Sequence, residues 1–159
     1  MRTLILGIGN TLLSDEGVGV HVVEHLRGLH GAEPDLTFLD GGTLSFTLAG
    51  DIADHEALIV VDAARLGLAP GTVRCLEGEE MDRYLLSGKM SVHEVGLSDL
   101  MDIARLSDHL PAHRALVGIE PEYLDWGDAP TAPVAAAIPE AVAAVMALVG
   151  RWRAQDARR

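Results

Sequence analysis

Ala57 to Val61 is an unbroken apolar run that stops abruptly at a carboxylate, Asp62. A strand with no polar alternation has no wet face, so it belongs at the centre of a sheet covered by helices on both sides. The rest of the chain supplies the partners. Thr3 to Leu6 is a second short apolar strand, ended by Gly7-Ile8-Gly9-Asn10. Leu36 to Leu39 is a strand stopped by Asp40-Gly41-Gly42, and Ala115 to Ile119 is a last one. Thr72 to Leu76, after the Pro70-Gly71 turn, alternates like a more exposed strand. Helical periodicity lies between them: Val18, Val22, Leu26 and Leu29 share a face in 17–29, and Leu97, Leu100, Met101 and Ala104 share one in 95–106. A short helix is expected over Leu44 to Asp51, and Pro139 is placed to open a final helix bearing Val142, Val145, Met146 and Val149. The order predicts an α/β fold: a single three-layer domain over 1–159, with a twisted, mostly parallel five-stranded sheet and helices on both faces. Residues 151–159, with four arginines, read as a frayed, solvated tail.

A chain of 159 residues can bury roughly 70% of its unfolded surface without disulfides. The single cysteine, Cys75, fits a reducing compartment and reads as a small core residue, so a cytoplasmic location is expected. No leader pattern is visible at the start, and the C-terminal Ala/Val stretch is interrupted by Pro133, Pro139 and Glu140, so no membrane association is expected. A formal net charge of −12 argues against a nucleic-acid partner, and aromatics at 4% of residues make a base-stacking platform improbable.

The glycine turn after the first strand imitates a dinucleotide fingerprint, but Leu12 stands where the third glycine is needed and the helix begins too late. No P-loop and no G-x-S-x-G elbow is present. His21 and His25 are one helical turn apart without an H-E-x-x-H pattern, and His30, His55, His109 and His113 stand in unremarkable contexts. His93 differs: it lies in a loop just ahead of a helix. In a parallel sheet, Glu16, Asp62 and His93 would project at one edge, the carboxyl ends of the strands. Two carboxylates and an imidazole suit a divalent first-row metal with open positions. The bland reading is an unrelated polar rim, with Glu16 a favourable charge at a helix start.

Several segments together carry a resemblance: GIGNTLLSDEGVGV at 7–20, DGGT at 40–43, VVDA at 60–63, SVHEVGLSDL at 91–100, and GIEPE followed by WG at 118–127. In this order the sequence resembles the nickel–iron hydrogenase maturation endopeptidases over nearly its whole length. The resemblance implies a hydrolase, grouped with aspartic-type peptidases, that removes a C-terminal extension from the hydrogenase large-subunit precursor after nickel insertion. It implies that the precursor's own nickel is the recognition signal, with Glu16, Asp62 and His93 as metal-contacting and catalytic positions. It also suggests substrate contacts at Asp40, Gly41, Gly42 and Thr43, where this chain continues Leu44-Ser45 in place of a further glycine. The expected partner is the precursor, and a monomer is expected. Either nickel or a carboxylate, Asp62 first, would activate water. A non-catalytic nickel-checkpoint chaperone remains the alternative.

Overall fold

Five strands form one sheet in the order β2-β1-β3-β5-β4. They are β1 (Thr3–Ile8), β2 (Leu36–Gly42), β3 (Ala57–Ala63), β4 (Val73–Glu77) and β5 (His113–Ile119). All neighbours run parallel except β4, which is antiparallel to β5. The helices are α1 (Val18–His30), α2 (Leu48–Ala53), α3 (Glu79–Leu86), α4 (Val92–Leu106) and α5 (Ala132–Asp156), and a 3-10 turn spans Ser14–Gly17. This is a computed structural model that describes the backbone of residues 1–87 and 92–159 and the side chains of 1–87 and 96–159.

The central strands are buried along their whole length, as the apolar runs require. Alternation splits their side chains between two cores. Ile5, Ile59, Val61 and Val117 face α1 and α5, whereas Leu4, Leu6, Leu58 and Val60 face α2, α3 and α4. The three-layer α/β expectation therefore holds. Cys75 packs, partly buried, against the first core, and burial pushes its thiol pKa up, which suits an inert residue better than a nucleophile.

Three expectations need correction. Helix α3 is absent from the sequence reading because it is a short stretch of eight residues; Met81 and Leu85 are buried in the second core and Tyr84 packs against it. The helix is tied to β5 by Arg114, which donates to both oxygens of Asp82 at 3.0 and 2.7 Å. Helix α5 begins at Ala132, with Thr131 in extended conformation before it, so Pro139 lies inside the helix and does not open it. Pro139 is exposed, and the Ala135 carbonyl, left without an amide partner, also lies on the exposed side. Finally, 151–156 is not frayed: Trp152 is 2% exposed, its Nε1 donates to Glu77, and Arg151 and Arg153 pair with Glu77 and Glu33.

With 25 residues and a mean hydropathy of 1.9 in its most apolar window, α5 is long and apolar enough to cross a membrane, contrary to the sequence reading. One stripe of it (Val134, Ala137, Ala141, Val145, Leu148, Val149 and Trp152) is packed in the core beside α1 and β5.

The connections define where a site can form. The chain leaves β1 for α1 on one face and leaves β3 for β4, α3 and α4 on the other. Adjacent parallel strands whose connections diverge open a crevice at their carboxyl ends.

Candidate functional site

Glu16 follows β1 and Asp62 is the penultimate residue of β3, so the topology puts both positions at the carboxyl ends of these neighbouring strands. Two glycines permit the approach. Gly9 has φ +132°, and a Cβ there would lie 1.8 Å from the Glu16 carbonyl oxygen. A Cβ on Gly19 would lie 2.1 Å from the Val61 carbonyl oxygen, so only glycine lets α1 start against the end of β3. The turn can thus fold back over the strand ends and bring Glu16 to them.

Asp62 is 1% exposed and shares its strand face with Leu58 and Val60, towards α2, α3 and α4. Glu16 is half-buried and lines a cavity of about 410 Å³ on the same face. Asn10 and Leu13 flank it, Thr43, Leu44, Ser45 and Phe46 form one wall, and Gly96 and Leu100 of α4 form another. Among the described residues the cleft is mainly apolar, with Glu16 as the carboxylate in its lining.

His93 lies in the first turn of α4 and not in a preceding loop, because the helical period through Leu97, Leu100 and Met101 extends back to Val92. Its side chain lies outside the described residues. Gly96, one turn further on, lines the cavity that Glu16 lines, which puts the start of α4 beside the cleft. Among the described residues no group of three His, Cys, Asp or Glu side chains is gathered in metal-binding range.

Of the proposed substrate contacts, Thr43 lines the cavity. Asp40 is exposed and accepts the Gly42 amide at 2.8 Å, and the Gly42 carbonyl accepts the Gly9 amide at 2.9 Å. Asp40, Gly41 and Gly42 therefore shape the wall that carries Thr43. Leu44, next in the chain, has φ +66°. A left-handed leucine is strained and is held by its surroundings.

Four of the other described histidines have partners outside the cavity lining. His25 Nδ1 donates to the His21 carbonyl at 3.0 Å, His30 pairs with Glu33, and His55 bridges the Asp51 carbonyl and Thr37. His113, at the start of β5, stacks on Trp152 at 5.2 Å.

Sequence reasoning overlooked Asp15. It is completely buried, and its carboxylate accepts the amides of Glu122, Tyr123 and Thr131 at 2.8, 2.9 and 2.7 Å, and the Thr131 hydroxyl at 2.9 Å. Ser14, at φ +52°, donates through Oγ to the Asp125 carbonyl at 2.8 Å and through its amide to Gly127 at 2.9 Å. The turn carrying Glu16 and the irregular segment 120–131 are thus one hydrogen-bonded unit. The available signal was the segment's length, since a long loop against a compact body needs partners for its amides.

Residues 10–17 separate the glycine turn from α1 and place acids where a pyrophosphate would need helix amides, which is incompatible with the dinucleotide reading. The profile of the hydrogenase maturation protease (HycI) family matches residues 20–148. The hydrogenase expression/formation protein HupD of Rhizobium leguminosarum bv. viciae is 38% identical over 152 residues, covering 95% of this chain and 75% of the relative. The hydrogenase 2 maturation protease of Escherichia coli K12 is 39% identical over 148 residues, covering 92% and 90%. Among solved structures, the hydrogenase maturating endopeptidase HybD from E. coli superposes with a TM-score of 0.87 at 36% identity, covering 95% of this chain and 93% of that one. The NiFe hydrogenase maturation protease HybD from Thermococcus kodakarensis gives 0.78 at 30% identity, covering 93% and 99%. The chain belongs to the hydrogenase maturation protease family and is an endopeptidase.

Proposed function

We propose that this endopeptidase removes the C-terminal extension of a nickel–iron hydrogenase large-subunit precursor after nickel insertion, in the cytoplasm and as a single-domain monomer. The observation that carries the reading is the pair of carboxylates at the β1/β3 switch point, one buried and one facing an apolar cleft. In this account the precursor's nickel is part of the substrate. Glu16, Asp62 and His93 complete its coordination, with His93 binding as neutral imidazole. Cleavage then depends on nickel loading because the metal-contacting groups gain their cation only from a finished precursor.

Held by these residues, the precursor's metal would supply Lewis acidity, either to polarise the scissile carbonyl or to lower the pKa of a water. In the alternative route Asp62 acts as general base in place of a ligand: it takes a proton from water, the oxygen attacks the carbonyl carbon, and the proton passes to the leaving amide nitrogen as the C–N bond breaks. The apolar walls at Leu13, Leu44 and Leu100 lower the local dielectric and strengthen each charge interaction in the cleft. Thr43 is positioned to contact the peptide near the bond, on the wall that Asp40, Gly41 and Gly42 shape.

The test is incubation of nickel-loaded precursor with the wild type, Asp62→Asn and His93→Ala, followed by mass spectrometry. The wild type is expected to release one C-terminal peptide, and both variants none while retaining the wild-type circular dichroism. Peptide release by folded His93→Ala at the wild-type rate would contradict the assignment.

A further inference from the structure

Trp126-Gly127 lies in the segment between β5 and α5. The segment is held unusually firmly for irregular chain. Asp15 fixes Glu122, Tyr123 and Thr131, Ser14 fixes Asp125, and Leu12 and Ser14 pair with Gly127 across a short parallel bridge. Gly127 is needed for that bridge, since a Cβ would lie 2.4 Å from Ser14 Oγ. Yet the aromatic side chains carried on this firmly held backbone are exposed: Trp126 is 73% exposed and Tyr123 50%, beside Leu12 at 58%. A buried carboxylate is here committed to holding exposed aromatics in place. Fixed, exposed Trp and Tyr are the residues that bind partners at least cost in side-chain ordering.

The chemistry of the partner follows from what surrounds them. Segment 120–131 contains no Lys, Arg or His, and its Glu122, Asp125 and Asp128 are all exposed. Arg65 shares a small cavity with residues 120–125, Glu122 and Tyr123 included, whereas Trp126 and Asp128 lie beyond it. Carboxylates around an indole face select a cation that can stack on the ring and pair at its edges. The surface is also continuous with the cleft, because Leu12 adjoins Leu13, which lines the cavity with Glu16.

We infer that Tyr123, Trp126 and the carboxylates of Glu122 and Asp128 form an exosite that docks an arginine- or lysine-bearing surface of the substrate precursor, away from the scissile bond. This rests on the proposed function for the identity of the partner. Docking there delivers the precursor to the cleft with the Glu16 turn as the mechanical link.

The experiment measures precursor binding by calorimetry and peptide release by mass spectrometry, for wild type, Trp126→Ala and the double variant Glu122→Gln/Asp128→Asn, at two ionic strengths. Trp126→Ala is expected to raise both Kd and KM at least about tenfold with kcat unchanged. The double variant is expected to weaken binding and to lose most of the wild type's salt dependence. Unaltered Kd in Trp126→Ala overturns the exosite, and full salt dependence in the double variant overturns the basic partner. If the wild type releases no peptide, the proposed function fails, and the binding arm still decides the exosite: equal affinities for wild type and Trp126→Ala, absence of binding included, overturn it.

Discussion

Asp15 and Glu16 are adjacent acids with opposite roles, and the difference is environment alone. Every group that meets the Asp15 carboxylate is a donor, on both oxygens. Asp15→Asn would turn an NH2 group towards an N–H whichever way the amide is flipped. Leaving such buried groups unsatisfied costs about 1–3 kcal/mol, so urea denaturation is expected to show a loss of that size. Activity is expected to fall with it, because the Glu16 turn loses its anchor. Glu16→Gln should behave differently: half-buried at the cavity wall, it can change without loss of stability, while processing is abolished. Glu16 and Asp62 were legible as candidates because strand–glycine–acid and strand–acid patterns put carboxylates at strand ends. Asp15 was not legible, since an acid at a helix start looks the same in sequence whether water or a distant loop satisfies it.

The central strands and α1 were readable because their apolar periods are long and unmixed, so burial and propensity agree. Helix α3 was missed because it is only eight residues long, although Met81, Tyr84 and Leu85 keep the helical spacing on its buried side. The start of α5 was misread because proline is common in the first turn, and Pro139 masked the true start near Thr131 and Pro133. Residues 151–153 were misread as frayed because the arginines look solvated, although Arg151, Trp152 and Arg153 dock on the body. Trp152 fills the first core, and Trp152→Ala is expected to cost about 3–5 kcal/mol, seen as a lower Tm by calorimetry. Glu77 offers a pH test of the same helix. Its hydrogen bond from Arg151 holds its carboxyl below the usual range. A depressed folded-state pKa contributes stability above the unfolded value of about 4.3 and loses it as pH falls through the folded value. This exposed pair is worth only about 0.2–1 kcal/mol, so the wild type should exceed Glu77→Gln slightly at neutral pH and converge with it in acid.

At the scale of the whole molecule, an acidic endopeptidase presents an apolar cleft, carboxylates at a sheet switch point and an outward aromatic loop on one continuous unit. The switch point explains why positions 16 and 62, far apart in the chain, share one crevice: β1 and β3 are neighbours whose connections leave for opposite faces. The central claim is that the enzyme's cation comes with its substrate. The direct test is to present purified enzyme with nickel-loaded and nickel-free precursor under otherwise identical conditions and quantify the released C-terminal peptide. The account predicts release from the loaded form alone. Equal release from both forms would contradict it.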